Sequence, residues 1–387
     1  MYMRTLRKNI LTVFLSSIWI LIPSLYSPHI VEYVPPFFKV IEEPPIENVI
    51  LDSMTLEQKV GQLFLIGFYG TSLSESTINW IEDRHIGGVL ILGRNIENEK
   101  QLKNLTESIQ SHSYLPLLIS IDQEGGEVAR LQWNSTLTTA QKYMDTPQEA
   151  YEIAVERGVM LKKLGINTNL APVVENITDK NSFMYNRVFK GTSEQIAKKG
   201  ESAIYGYRQV GMIAVPKHYP GHSNSSPDSH FYLPKVNISN SQWDSFVYPF
   251  QYLIEQDCVD IIMAGHILYP NIDNKVSTIS SEILEQRLRN DLAFEGVVIS
   301  DDMEMKAIKN QGDPKIIAKE SLIAGIDILI YSKETEELKG IYKYILSSFK
   351  NGDLDVDILN DKVLRILKLK EKYGMFNSFI VQQPQEE

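Results

Sequence analysis

Four segments of this chain collect the residues that could move protons or attack carbon. Asp122-Gln-Glu124 precedes Gly125-Gly126. Lys217-His218 opens a polar stretch that runs through His222 and Asp228 to His230. His266 follows one apolar run, and Asp301-Asp302 follows another. Three of the seven histidines lie between 217 and 230, where Pro220, Gly221 and Pro227 mark a loop. A neutral imidazole titrates near neutrality, so such a loop suits general acid–base work. Metal binding is the rival reading, but no His-Glu-x-x-His pattern occurs, and no metal is expected. Asp228 and His230 are two residues apart. On a straight strand they would point to opposite faces. On a turned loop the carboxylate can reach the imidazole and set its tautomer, as the Asp of a Ser-His-Asp triad does. No Gly-x-Ser-x-Gly elbow is present, which disfavours a serine hydrolase. Asp302 reads as a cap for whatever follows it; Asp301, one residue nearer the apolar run, reads as chemistry.

These segments need a scaffold that brings them together. Eight short runs rich in Ile, Leu and Val can be marked: Leu63–Phe68, Gly88–Leu92, Leu117–Ile121, Thr168–Val174, Met212–Pro216, Ile261–Ala264, Val297–Ser300 and Ile326–Tyr331. None alternates with period two, as expected of strands buried on both faces. Amphipathic helical stretches separate them, among them Glu99–Ser111, Pro147–Leu164, Ser193–Gln209, Ser241–Glu255, Ser281–Leu292, Pro314–Ala324 and Glu334–Phe349; Leu359–Tyr373 closes the series. This alternation predicts an α/β fold, a single (β/α)8 barrel over residues 51–375. An open doubly wound sheet is the alternative, but no Gly-x-Gly-x-x-Gly follows the first run. In a barrel all the reactive segments lie at the carboxyl ends of strands, hence on one face.

The bulk numbers exclude other classes. Hydrophobic residues make up 43% and charged residues 22% of the 387, which is ordinary for a globular protein. A formal net charge of -11 argues against a nucleic-acid groove and against docking on anionic lipid. Cys258 is the single cysteine, so neither an internal disulfide nor a CxxC zinc cluster can form. It lies in an apolar stretch and is expected to be a buried small hydrophobe.

The quoted segments carry a resemblance. Ile121-Asp-Gln-Glu-Gly-Gly126, Lys217-His-Tyr-Pro-Gly-His222, Asp228-Ser-His230 and Ser300-Asp-Asp-Met303 resemble the motifs of family-three glycoside hydrolases, specifically the NagZ-type β-N-acetylglucosaminidases, in the same order over residues 50–375. The resemblance implies a retaining enzyme that releases terminal β-linked N-acetylglucosamine from peptidoglycan or chitin-type fragments. It implies Asp301 as nucleophile and His230, oriented by Asp228, as general acid/base. It implies that Asp122, Arg130, Arg187, Lys217 and His218 line the sugar subsite, with no cofactor. Two departures touch that subsite: Arg187-Val-Phe-Lys190 stands where the family has Arg-Ser-Phe-Gly, and Glu175 stands for an Asp. The chemistry is self-consistent. Most retaining glycosidases pair two carboxyls about 5 to 5.5 Å apart and must raise one pKa. A histidine, at about 6.5 unperturbed, is already near the working range and does not repel the nucleophile. The readings kept open are a phosphorylase on the same scaffold, a β-glucosidase of the family, and a sugar-binding protein without turnover.

The termini differ from the barrel. Arg4, Arg7 and Lys8 precede the uncharged run Ile10–Ile22, and Pro23, Ser24 and Ser27 follow. Residues 1–27 therefore read as a cleaved secretory signal or an uncleaved membrane anchor, which places the rest outside the cytoplasm. Residues 28–50, with five prolines, read as a linker, a first helix is expected over Thr55–Gln62 with Asp52-Ser53 as its cap, and residues 376–387 read as a polar tail. The expected partner is a small carbohydrate substrate, not nucleic acid, and the expected state is a monomer.

Overall fold

The computed structural model describes residues 44–224, 227–229 and 231–377. The strands are β1 (Phe64–Gly67), β2 (Gly88–Ile91), β3 (Leu118–Ile121), β4 (Thr168–Asn169), β5 in two segments (Ile213–Ala214 and Lys217–Tyr219), β6 (Ile261–Ala264), β7 (Val297–Asp302) and β8 (Ile328–Tyr331). All pairings among them are parallel, and β1 pairs with both β2 and β8. The first segment of β5 pairs with β4 and the second with β6, so this broken strand closes the barrel. The break falls at Val215-Pro216, where proline has no N–H for the ladder. The eight runs of the sequence all appear as strands. The fifth extends further than its apolar run: Lys217 and His218 project from the strand itself and not from the loop after it.

The principal surrounding helices are α1 (Ile46–Ser53), α2 (Leu56–Gln62), α3 (Glu75–Glu82), α4 (Glu99–Ser111), α5 (Pro147–Lys163), α6 (Ser193–Gln209), α7 (Asn240–Glu255), α8 (Pro314–Ala324), α9 (Glu336–Lys350) and α10 (Val356–Lys372), with a π-helical stretch at Glu282–Asp291. Their starts follow local capping chemistry. Thr146 accepts from the Glu149 amide, Glu149 reaches back to the Thr146 amide, and Pro147 occupies the first turn of α5. Among the described residues no helix is long and apolar enough to cross a membrane.

Three boundaries differ from the sequence reading. Residues 46–50 are helical and not linker: Ile46, Ile50 and Leu51 turn toward the core, and Pro45 precedes the first turn. The cap of α2 is Thr55, boxed with Gln58, and not Asp52-Ser53, which belong to α1. Phe376 is buried in the core and not part of a tail. The signal or anchor at 1–27, the linker as far as 43 and the tail from 378 lie outside the described residues. Cys258 is buried as expected, with its thiol pushed up to about 12 by burial.

The amino-terminal face is built for stability. Asp327, just before β8, accepts from Arg289 at 2.7 Å and from Arg365 of α10 at 2.8 Å, which ties the last helix to the barrel floor. Nearby Lys370 is buried and donates to Gln62 Oε1 at 2.6 Å with no carboxylate beside it, so burial pulls its pKa from 10.5 down to about 7. The unfolded chain binds this proton more tightly. Stability should therefore rise with pH between about 7 and 10.5, on the order of 5 kcal/mol in all from this group. Urea midpoints across that range should lose this part of their slope in Lys370→Met; an identical slope in the variant would refute the assignment.

Candidate active site

The loop after β3 carries the first half of the site. Gln123 is buried and holds the loop in shape: its side chain donates to the Leu131 and Leu137 carbonyls and accepts from the Arg130 and Leu131 amides. Asn169 at the end of β4 accepts from the Gln123 amide at 3.0 Å, locking the loop to the next strand. Asp122 and Glu124 are thereby set on either side of Lys217. The Lys217 ammonium lies 2.8 Å from Asp122 Oδ1 and 2.6 Å from Glu124 Oε1. Arg187 closes on Glu124 with both prongs, at 2.9 and 2.7 Å, and Arg130 approaches Asp122 at 3.4 Å.

Charge balance decides the protonation states. Burial alone would raise the Glu124 carboxyl, but Arg187 and Lys217 outweigh it and pull it down to about 2. Burial opposed by Lys217 and Arg130 likewise leaves Asp122 below its ordinary value. Burial favours neutral Lys217, yet the two carboxylates hold its pKa above the usual lysine range. All these groups are charged at neutral pH, a rigid polar cradle at the mouth of the barrel. Lys217→Met would remove the cation shared by buried Glu124 and half-buried Asp122, and breaking a buried pair typically costs about 3 to 5 kcal/mol. Urea denaturation should show a loss of that size, partly recovered by adding Glu124→Gln. A variant as stable as the parent would show that the cradle is not a paired network.

A second cluster backs the first. Glu175 Oε1 accepts from the His218 ring Nδ1 at 2.7 Å and from its main-chain amide at 3.1 Å; Oε2 accepts from His222 Nδ1 at 2.9 Å and from the His222 amide. The ligand atoms of these three residues lie within 4.8 Å of one another, a composition that a divalent cation could use. Every acceptor position of the carboxylate is already filled by an N–H, however, so the geometry is that of a hydrogen-bonded hub. Burial lowers the His218 pKa despite Glu175, so at neutral pH its ring is neutral, with the proton on Nδ1 and the Nε2 lone pair free to accept.

Asp301 is the fifth residue of β7, with Oδ1 accepting from the Asp302 amide at 2.7 Å. Burial alone would raise its pKa. The His218 and His266 imidazoles, the Asp302 amide and Lys217 outweigh burial, and the carboxyl is held below its ordinary value of 3.8. Lys217 and the amide act at every pH, so Asp301 is ionised throughout the neutral range. Asp302 is structural, as expected: its Oδ1 accepts from the Glu304 and Ser332 amides at 3.0 Å each, joining the turn after β7 to β8. His266 bridges the Thr278 hydroxyl at 2.6 Å and the Asp302 carbonyl at 3.1 Å, a fixed support beneath the same turn.

The structure thus brings Asp122, Arg130, Arg187, Lys217, His218 and Asp301 to one mouth. In the loop after β5, Asp228 is half-buried and its carbonyl accepts from the Phe231 and Tyr232 amides, forming a turn. His230 lies outside the described residues. Phe231 packs with its ring centroid 5.9 Å from the Lys306 ammonium, so the loop reaches the segment that follows β7. Glu124 and Glu175 complete the site; the sequence reading named Glu124 in its motif and Glu175 as a departure from the family pattern but gave neither a role. Their signals were present: Glu124 sits inside the Asp-Gln-Glu-Gly-Gly run, and Glu175 directly follows the fourth apolar run.

Comparison with known proteins agrees with this geometry. The model of the glycosyl hydrolase family 3 N terminal domain matches residues 55–369. A β-hexosaminidase of Histophilus somni (strain 2336) is 30% identical over 320 residues, covering 80% of this chain and 89% of that protein. The β-hexosaminidase of Methylobacillus flagellatus is 32% identical over 283 residues, covering 70% and 81%. Among solved structures, a glycoside hydrolase family 3 β-N-acetylglucosaminidase from Paenibacillus sp. str. FPU-7 superposes with a TM-score of 0.80 at 33% identity, covering 84% of this chain and 63% of that one. A β-N-acetylhexosaminidase from Beutenbergia cavernae gives 0.74 at 26%, covering 82% and 99%. A family model spanning most of the chain, relatives at this identity, and strand-end carboxylates at one barrel mouth lead to one assignment: the chain belongs to glycosyl hydrolase family 3 and is a glycoside hydrolase.

Proposed function

We propose that this protein is a retaining exo-β-N-acetylglucosaminidase that works through a glycosyl ester on Asp301. The observation that carries the proposal is a half-buried carboxylate near the end of β7, on the face where Lys217 is clasped by Asp122 and Glu124 at the ends of β3 and β5. The names of the relatives, β-hexosaminidases and a β-N-acetylglucosaminidase, support the same substrate class.

In the first step an Asp301 oxygen forms a bond to the anomeric carbon while the glycosidic C–O bond breaks. His230 gives its proton to the departing oxygen, and Asp228 steadies the ring as the imidazolium. In the second step His230 takes a proton from water, the water oxygen bonds to the same carbon, and the ester to Asp301 breaks. Two inversions give net retention. Asp122, Lys217, Arg130 and Arg187 hold the sugar hydroxyls and acetamido group, and neutral His218 accepts from one hydroxyl through Nε2. The basic, apolar, small-residue order of residues 1–27 supports export, with peptidoglycan or chitin fragments as the natural substrates.

Product analysis on chitin and peptidoglycan oligomers, with and without phosphate, tests the reading. Free N-acetylglucosamine released from the non-reducing end, independent of phosphate, is expected. A sugar 1-phosphate formed only when phosphate is added would make the protein a phosphorylase. Failure to release sugar under either condition would end the enzymatic reading.

A further inference from the structure

The polar loop between β5 and α7 is tied to the barrel on both of its limbs. On the outgoing limb the Gly221 carbonyl accepts from the Tyr269 hydroxyl, and Glu175 holds His222 by its amide and its ring. Two residues further on, Asn224 makes three hydrogen bonds with one side chain. Its Oδ1 accepts from the Thr178 amide at 2.7 Å and from the Asp179 amide at 3.0 Å, and its Nδ2 donates to the Thr178 hydroxyl at 3.0 Å. On the returning limb the Pro234 carbonyl accepts from the Leu268 amide, and the Val236 amide donates to the Leu268 carbonyl, both at 2.9 Å. Between these ties the sequence runs from Ser225 to Leu233 and includes Asp228 and His230.

The segment that receives Asn224 is a platform. It has an apolar cluster of its own, in which Ile177, Met184 and Val188 pack with Val173. The Asp179 carboxylate accepts from the Asn181 amide at 2.9 Å and its carbonyl from the Ser182 amide at 3.1 Å, which fixes the turn that Asn224 grips. Further along the same segment, Arg187 closes on Glu124 of the cradle. The Asn224 side chain therefore joins the limb that leads to the proton donor to the platform that sets the sugar cradle. Asn224 is exposed, so its groups could bond to water instead, and the three bonds add little net stability. What they add is position. A proton donor must come within hydrogen-bond reach of the departing oxygen, and a misplacement of about 1 Å can cost on the order of 10²-fold.

We propose that Asn224 is a positioning residue for the proton donor, its clasp on Thr178 and Asp179 setting the acid/base loop against the sugar cradle. The proposal rests on the glycosidase reading above and on the role of His230 in it. Its test compares kcat/KM for tri-N-acetylchitotriose, whose leaving group needs a proton, with that for dinitrophenyl β-N-acetylglucosaminide, whose leaving group does not. The ratio of the two is independent of the fraction of active enzyme, so a loss of folded protein does not move it. In Asn224→Ala the ratio should fall about tenfold, a part of the roughly 10²- to 10⁴-fold that general acid help supplies. In Asn224→Asp it should be retained, because a carboxylate still accepts from both amides and from the Thr178 hydroxyl. Asn224→Ala added to His230→Ala should lower the ratio no further, since both act on one proton transfer. An unchanged ratio in Asn224→Ala, equal losses on both substrates, or a further fall in the double variant overturns this inference alone. Equal losses on both substrates in His230→Ala remove the proton donor and this inference with it. An unmodified chain that releases N-acetylglucosamine from neither substrate overturns the glycosidase reading itself.

Discussion

Asp301→Ala is expected to lose about 10⁴- to 10⁶-fold in kcat, the range seen when a catalytic nucleophile is removed. No other carboxylate of the cradle can replace it. Asp122 and Glu124 are engaged by Lys217, and Glu124 is also gripped by Arg187. Asp302 is spent on two amides of the turn. The loss should therefore be nearly complete, while folding is retained, because the substitution removes a charge that burial disfavours. Two further results would identify the role. A fluorinated N-acetylglucosaminide should leave a covalent adduct on Asp301 in the parent, seen as a mass increment on the peptide containing it. Azide, small enough to enter the vacated space, should partly restore turnover in the variant and give a sugar azide of inverted configuration. Substantial residual hydrolysis without azide would remove Asp301 from the reaction. The pH profile follows from the same electrostatics. Because the Asp301 pKa is held below its ordinary value, any decline of kcat/KM on its account should come at lower pH than for an ordinary aspartate.

His230→Ala should be selective where Asp301→Ala is not. General acid help is typically worth about 10²- to 10⁴-fold, but only where the departing oxygen needs a proton. The full loss is expected on chitin oligomers and alkyl glycosides, and a much smaller one on a dinitrophenyl glycoside, whose leaving group departs as a stable anion. Asp228→Asn should move activity in the same direction by a smaller factor, since it weakens the imidazolium without removing it. Equal losses on good and poor leaving groups would count against His230 as the proton donor. A comparison of nitrophenyl glucoside with nitrophenyl N-acetylglucosaminide, run on the parent, separates the family's two substrate classes; preference for the glucoside would move this chain to the β-glucosidases.

The two cationic residues of the cradle illustrate why the site holds its shape without substrate. Lys217 and Arg187 are each committed to carboxylates before any sugar arrives, so their side-chain entropy is already lost on folding. A hydroxyl that binds there meets fixed donors and acceptors, which is the condition for electrostatic stabilisation without reorganisation. Glu175 extends the same logic one layer back. It neither replaces the family's usual aspartate silently nor leaves a gap, but spans two imidazoles and both of their amides.

The sequence by itself determined the barrel and the face on which chemistry occurs. Buried parallel strands need apolar residues on both sides, so eight Ile/Leu/Val runs separated by amphipathic stretches admit few other folds, and Asp122, Lys217, His218 and Asp301 sit at the ends of those runs wherever the helices pack. Tertiary structure alone decided who pairs with whom. Lys217 meets Asp122 across 95 positions of chain, and Glu175 meets His218 across 43, distances at which local periodicity carries no information. It also decided where the fifth strand ends. Pro216 marks a stop when read locally, yet parallel neighbours on both sides accept the chain again at Lys217, because β4 supplies the ladder before the proline and β6 supplies it after. The helix at Ile46–Ser53 was hidden for the same reason: eight residues between prolines and the cap of α2 have little helical stability of their own, and form one because the core offers their apolar face a place to be buried.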